Sequence, residues 1–179
     1  MMDDINRILI SQQELEQGVA KLGAQIAAEY ADKNPVFLGV LKGVVVYFSD
    51  MIRATPIPCE IDFLAVSSYR SGTNAGKAVM KKDVSIDIRG RHVVILEDIL
   101  DTGKTLKFVV DHLLSMEPAS LKICTLLDKP DRREVEIEAD YIGFTIPNEF
   151  VVGYGLDFAE KYRNLPFVGV LKPEIYEKA

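Results

Sequence analysis

The sequence holds only two cysteines and two histidines, and each scarcity removes a class of function. Cys59 and Cys124 are too few for a disulfide framework, and both stand in apolar runs that suit buried thiols. With His92 and His112 as the only histidines, no Cys/His cluster of zinc-site spacing can be drawn. No uncharged apolar run approaches the ~18 residues that a transmembrane helix needs. The opening residues MMDDINRILI carry acids where a secretory signal needs positive charge. These two absences predict a cytosolic protein. A surplus of positive charge is missing as well. Lys plus Arg number 21 against 27 for Asp plus Glu, a formal charge of -6. Such a field repels nucleic acid on average, so general DNA or RNA binding is not expected. A small anionic substrate accompanied by a metal ion is compatible with it.

What is present is ordinary for a globular chain. Of 179 residues, 48% are hydrophobic and 27% charged, which excludes disorder, collagen and coiled coil. The length predicts one domain over residues 1–179, with a core that needs no disulfide or structural metal.

The pattern along the chain alternates strands with helices. Ser11-Gln12-Gln13-Glu14 reads as a capping box, and Leu15, Val19, Leu22 and Ile26 then mark one helical face that should fade near Lys33-Asn34-Pro35. Val36 to Leu41 is a short apolar run of buried-strand type, followed by a helix over Val44 to Arg53. Cys59 to Val66 reads as a strand, and the polar, glycine-bearing Ser67 to Lys77 as a mobile surface loop. Val79 to Ile88 carries a weaker strand pattern. Val93 to Leu96 is the clearest strand, and a helix starting at Thr102-Gly103-Lys104 presents Leu106, Val109, Val110, Leu113 and Leu114. Leu121 to Leu127, Tyr141 to Ile146 and Phe150 to Gly153 complete the strands. Continuous apolar strands separated by helices predict an α/β fold with a mostly parallel central sheet flanked by helices.

The chemistry concentrates in Val93-Val94-Ile95-Leu96-Glu97-Asp98-Ile99-Leu100-Asp101-Thr102-Gly103-Lys104-Thr105. Side chains alternate along a strand, so Glu97 and Asp98 point to opposite sides. Acids at the C-terminal end of a strand stand where open α/β sheets bind ligands. The Asp-Thr-Gly-Lys-Thr run then opens a helix whose free backbone donors and hydroxyls make a phosphate cradle. A Walker loop would require glycine five positions before Gly103, where Asp98 stands, so the nucleoside-triphosphatase signature fails. Gly153-Tyr154-Gly155 does not continue into a dinucleotide fingerprint either. Taken alone, adjacent acids after a strand also suit a solvated turn and a helix cap.

Residues 94–105 resemble the phosphoribosyl-diphosphate motif of the type I phosphoribosyltransferases. Leu41-Lys42-Gly43 resembles that family's pyrophosphate loop, and Ser68-Tyr69 its catalytic flap. Leu126 to Lys129 and Phe150 to Asp157 resemble the purine segments of its hypoxanthine-guanine branch. The resemblance runs from about Pro35 to the C-terminus, with the motifs in the family's order. It implies the type I fold, including a small hood lobe built from the terminal segments. The reaction it implies moves ribose 5-phosphate from phosphoribosyl diphosphate to hypoxanthine or guanine and releases pyrophosphate. It also implies magnesium, a cytoplasmic setting, small-molecule substrates with no nucleic acid or membrane partner, and a homodimer or homotetramer.

Carried over by position, the resemblance implies that Glu97 and Asp98 hold the ribose hydroxyls, directly or through magnesium. Ile99 and Leu100 line the nucleotide site, while Asp101, Thr102, Gly103, Lys104 and Thr105 cradle the 5-phosphate. Asp101 doubles as the base near the purine's imidazole-ring nitrogen. Its alternative reading is a helix cap. Lys42, Gly43 and Arg163 meet pyrophosphate, and family members often hold the peptide at the first two in cis. Lys129 reaches the six-position oxygen, Phe150 stacks on the purine, and the Val151 backbone bonds its edge. Asp157 belongs to the purine site and holds a second magnesium. Ser68 and Tyr69 close over the reacting centre. His92 and His112 are read as structural, at a strand entry and on a helix surface. Two alternatives remain open: a transferase for another base, such as xanthine, and a regulator of this fold that binds phosphoribosyl diphosphate without chemistry. Asp101, Lys129 and Asp157 argue against the regulator, and Lys129 favours a 6-oxopurine.

Overall fold

The computed structural model describes residues 1–68 and 78–177. The chain opens with strand β1 (Ile5–Ile10) and helix α1 (Gln12–Tyr30). Ser11 caps α1 through the full reciprocal box: its hydroxyl accepts from the Glu14 backbone, and the Glu14 carboxylate accepts from the Ser11 N–H at 2.8 Å. The helix ends at Tyr30, a turn short of the expected Lys33-Asn34-Pro35. Leu15, Val19, Leu22 and Ile26 are all buried, as their spacing requires.

Strand β2 (Val36–Leu41), helix α2 (Val45–Ala54), strands β3 (Glu60–Ser68) and β4 (Ala78–Lys82), and strand β5 (His92–Leu100) follow. Helix α3 (Lys104–Leu114) then leads to β6 (Ser120–Asp128), β7 (Tyr141–Thr145), β8 (Val151–Val152), β9 (Val168–Leu171) and α4 (Pro173–Tyr176). Six strands form one sheet in the order β4-β3-β2-β5-β6-β7, parallel except where β4 runs antiparallel to β3. The sheet has apolar side chains on both faces. Val94, Leu96 and Phe37 pack toward the buried faces of α1 and α2, whereas Val93, Ile95 and Leu38 pack toward Leu106, Val109 and Leu113 of α3. This alternation is why the central strands read as unbroken apolar runs.

A second, three-stranded antiparallel sheet joins the two ends of the chain in the order β1-β9-β8. It covers a small core of its own, with Val152, Tyr162, Leu165, Phe167 and Leu171 buried. Strands β1 and β9 were not among the elements expected from local pattern. The loop expected over Ser67 to Lys77 begins later than expected, because Ser67 and Ser68 extend β3. Residues 69–77 lie outside the described residues, and with them Tyr69. No helix among the described residues is long and apolar enough to cross a membrane.

Candidate active site

The apolar run Val93–Leu96 predicts a strand of four residues, yet β5 continues to Leu100. Pairing carries it on: Glu97 stands opposite Thr125 and Ile99 opposite Leu127 of β6. The extension places Glu97 and Asp98 at the C-terminal edge of the sheet, beside the turn that follows β2. There the Leu41–Lys42 peptide is cis.

Val40, Lys42, Gly43, Glu97, Asp98, Asp101, Thr102, Gly103 and Thr105 line one cavity of about 220 Å³. Burial raises the pKa of both acids. Glu97 lies well above the usual carboxylate value, first from burial and then from the neighbouring Asp98 charge. Asp98 is raised to about 6 by burial, although its bond from the Ile99 N–H at 2.9 Å and the Arg163 charge oppose the rise. The Glu97 Oε2 atom is buried and has no hydrogen-bond partner in the protein. Two carboxylates desolvated in this way match hydroxyl donors or a hard cation.

The cradle follows at once. Gly103 takes a left-handed φ of 82°, which a residue with Cβ would hold only under strain, and it serves as the N-cap of α3 with no side-chain cap. Asp101 is therefore not the cap of this helix, which removes that alternative reading. The Lys104 side chain turns away to an ion pair with Glu134, and Lys104 does not line this cavity, unlike its neighbours Gly103 and Thr105.

Asp101 stands between two cavities. The second, of about 410 Å³, is lined by Ile99, Asp101, Lys129, Arg132, Phe150, Val151, Leu156, Asp157 and Tyr176. Ile99 and Asp101 border both, so the two cavities adjoin along these residues. The loop after β6 braces this junction. The Arg133 guanidinium donates to the Leu100 carbonyl at 2.9 Å, to the Asp101 carbonyl, and to Asp128. Arg132 Nε lies 3.2 Å from Asp101 Oδ1. Lys129 is only 6% exposed, and its Nζ donates to the Glu149 carbonyl at 2.7 Å. Burial lowers its pKa from the ordinary lysine value, and the Asp101 charge offsets part of that. Phe150 is half-exposed, while Val151 is buried and pairs with Val170 of β9.

The pyrophosphate-side residues are engaged with protein. Lys42 Nζ lies 2.9 Å from Glu160 Oε1. Arg163 bonds the Gly155 carbonyl at 2.8 Å, Asp157 at 2.8 Å and Glu160 at 3.2 Å. Arg163 does not line the cradle; it borders a separate groove with Gln12, Glu16 and Asp50. The expected metal set also divides. Among the described residues no three His, Cys, Asp or Glu side chains form a ready cage. Glu97 and Asp98 line the cradle cavity, whereas Asp157 lines the aromatic pocket and accepts from the Glu160 N–H at 2.9 Å. A magnesium ion held by one or two carboxylates, with substrate oxygens completing its shell, fits this donor set. Of the Ser68-Tyr69 pair, Ser68 ends β3 and Tyr69 is outside the described residues.

Sequence reasoning missed Arg132 and Tyr176, which line the second cavity, and Arg133, which braces the Leu100 and Asp101 carbonyls. Of the two cysteines expected to be buried, Cys124 is buried and Cys59 partly so. Burial pushes Cys124 up to about 12, with the Tyr47 hydroxyl 3.1 Å away, and also raises Cys59. His92 bonds Ser120 at 2.7 Å and His112 meets Asp83 at 2.9 Å, and neither lines the cleft.

Two adjoining cavities, one lined by carboxylates and the start of α3 and the other by aromatic side chains, thus stand at the C-terminal edge of the parallel sheet, where open α/β sheets bind ligands. The phosphoribosyl transferase domain family matches this chain over residues 7–159. A hypoxanthine-guanine phosphoribosyltransferase of Streptococcus pneumoniae is 53% identical over 175 residues, covering 97% of each chain. One from Streptococcus pyogenes is 49% identical over 176 residues, covering 98% of each. The solved structure of a hypoxanthine phosphoribosyltransferase from Staphylococcus aureus superposes with a TM-score of 0.94 at 46% identity, covering 98% of this chain and 96% of that one. The chain belongs to the phosphoribosyltransferase family.

Proposed function

We propose that this chain transfers the 5-phosphoribosyl group of phosphoribosyl diphosphate to hypoxanthine or guanine, giving the purine nucleotide and pyrophosphate. The supporting observation is the shared wall of the two cavities: Asp101 and Ile99 border both the cradle and the aromatic pocket. A sugar phosphate seated in one would present its reacting carbon toward a flat base seated in the other.

In this reading, the backbone of residues 102–105 and the Thr102 and Thr105 hydroxyls hold the 5-phosphate at the start of α3. Glu97 and Asp98 accept from the ribose hydroxyls, which relieves the cost of their burial. Lys129 Nζ leaves the Glu149 carbonyl, or shares itself with it, to donate to the six-position oxygen. Phe150 covers the flat face of the base, and Val151 meets its edge. Asp101 accepts the proton from the imidazole-ring nitrogen as the new bond to the sugar forms, which makes it the general base. Lys42, Gly43 and Arg163 stand on the side from which pyrophosphate leaves. Magnesium, held by Glu97 and Asp98 and, on the other side, by Asp157, would neutralise charge on the leaving pyrophosphate. Ser68 and Tyr69 close over the centre and exclude water. Residues 1–179 act as one transferase unit, with the terminal sheet as its hood, in a homodimer or homotetramer.

The deciding experiment is a steady-state assay of the purified chain with phosphoribosyl diphosphate and hypoxanthine, guanine, xanthine or adenine, with magnesium and with excess chelator. Turnover of hypoxanthine or guanine that disappears on chelation supports the reading. Binding of phosphoribosyl diphosphate with no turnover of any base would replace it with the regulator, and a strong preference for xanthine would move the substrate.

A further inference from the structure

Phe150 has a partner that neither sequence pattern nor family motif supplies. The ring of Tyr176 lies parallel to it, with centroids 4.7 Å apart and 16° between planes. Phe158 lies perpendicular to it, with centroids 5.6 Å apart and 89° between planes. Phe150 nevertheless remains 38% exposed. Phe150 and Tyr176 both border the 410 Å³ pocket, together with Asp101, Lys129 and Val151.

Tyr176 is itself held from behind. Strand β9 ends at Leu171, whose N–H donates to the Phe150 carbonyl at 2.9 Å, so the backbone of Phe150 is already tied to this strand. The chain then turns through Lys172, whose N–H donates to the Asp4 carbonyl at 2.9 Å, into α4. That single turn returns Tyr176 to the ring of Phe150, where it also borders the pocket. There it packs, with Phe158, on the buried cluster of Val152, Tyr162, Leu165, Phe167 and Leu171.

We infer that Tyr176 is a positioning residue of the base pocket: its ring stacks on Phe150 and holds it in the orientation that meets a purine. This rests on the function proposed above. A half-exposed phenylalanine without a partner samples several rotamers, and a ligand that stacks on it must first select one. A parallel aromatic neighbour removes that freedom before the ligand arrives, and an offset stack favours the arrangement over other packings.

The test compares the parent chain with Tyr176→Ala, Tyr176→Leu and Tyr176→Phe in full steady-state kinetics with hypoxanthine and phosphoribosyl diphosphate, together with calorimetric titration of GMP. Loss of one aromatic pair is expected to raise the hypoxanthine KM and the GMP Kd of Tyr176→Ala by roughly 3- to 10-fold. The KM for phosphoribosyl diphosphate and kcat should move less than about twofold, because the cradle belongs to a different loop. Tyr176→Phe should restore the parent values, since the ring and not the hydroxyl does the positioning. Tyr176→Leu keeps apolar contact with the hood core, so it carries the test if the alanine variant does not fold. It should resemble the alanine variant in KM. Four results would overturn the inference: an unchanged purine KM, a fall in that KM, equal effects on both substrates, or a phenylalanine variant as weak as the alanine one. A parent chain that turns over no 6-oxopurine would instead sink the function itself, and the inference with it.

Discussion

A Cβ on Gly43 would stand 1.8 Å from Oδ2 of Asp98, so the turn after β2 and the acid near the end of β5 fill adjoining space completely. The turn is packed on its other side as well, because a Cβ on Gly155 would stand 2.0 Å from the Gly43 carbonyl oxygen. Gly155 has a φ of 101°, a backbone conformation that favours glycine. Three segments distant in sequence therefore meet at Gly43 with no room for a methyl group. Gly43→Ala should drive the Asp98 carboxylate out of the cradle cavity. Misplacing a substrate-holding group by about 1 Å can cost roughly 10²-fold, so kcat/KM for phosphoribosyl diphosphate should fall by about that factor. Kinetics equal to the parent would show that Asp98 can relocate without consequence.

Asp98→Asn should stabilise the ligand-free protein while harming activity. The folded pKa of Asp98 is about 6 and its unfolded value near 3.8. For a carboxyl raised in this way, the folded state binds more protons between those values, so stability falls as the pH rises from about 4 through about 6. The penalty is then complete at pH 7 and above. An asparagine keeps an acceptor for the Ile99 N–H and carries no charge to desolvate. Its gain in Tm should be largest at pH 7–8 and shrink toward pH 4–5, read by thermal unfolding without magnesium or substrate. A gain equal at every pH, or largest in acid, would show that the buried charge is not the cause.

How much of this was legible depended on how local the cause was. The apolar run ending in Glu97-Asp98, and the Asp101–Thr105 turn into α3, are contiguous in sequence. Their geometry follows from strand alternation and from free donors at a helix start. Strands β1 and β9 were not legible in the same way. Ile5 pairs with Leu171 across nearly the whole chain, and β1 shows no clean alternation, with Ile8 half-exposed. The terminal sheet follows only from the family resemblance. Arg132 beside Asp101 and Glu160 between Lys42 and Arg163 are pairings of ordinary surface residue types. No spacing rule selects them, because the partner is chosen by the fold and not by the neighbouring sequence.

Asp101→Asn should separate proton acceptance from binding. The side chain keeps its shape and can still accept from Arg132 Nε, which lies 3.2 Å away. Arg133 holds the backbone carbonyls of Leu100 and Asp101, so the turn should keep its conformation. An amide cannot take up the purine's proton. General acid-base groups typically contribute ~10²–10⁴ in rate, so kcat should fall by that order while the Kd for phosphoribosyl diphosphate stays within a few-fold. Single-turnover kinetics with pre-bound phosphoribosyl diphosphate measures the chemical step directly. A parent-like rate there would place the base on another residue.

Selectivity against adenine should rest on Lys129. Lys129 is only 6% exposed, and among the described residues its ammonium donates to the Glu149 carbonyl at 2.7 Å. The Glu149 side chain is paired with Arg7 of β1 at 2.5 Å, and the next residue, Phe150, is tied to Leu171. Lys129 is thus aimed from a fixed point at whatever group the base presents beside it. A 6-oxopurine presents an acceptor there, whereas adenine presents an amino group and sets donor against donor. A buried polar group left without a partner costs about 1–3 kcal/mol, and more when charged, so a preference of roughly 10²-fold or more for hypoxanthine over adenine is expected. Lys129→Met keeps most of the stem's packing and removes the charge. The hypoxanthine kcat/KM should drop steeply while the weak adenine value barely changes, so the ratio narrows. Because burial already lowers the Lys129 pKa, a nearby proton donor is cheaply lost as the pH rises, and the hypoxanthine preference should weaken at alkaline pH. Measuring kcat/KM for both bases, in parent and variant, across neutral to alkaline pH checks both effects. An unchanged ratio in Lys129→Met would move the discrimination to the backbone around Val151.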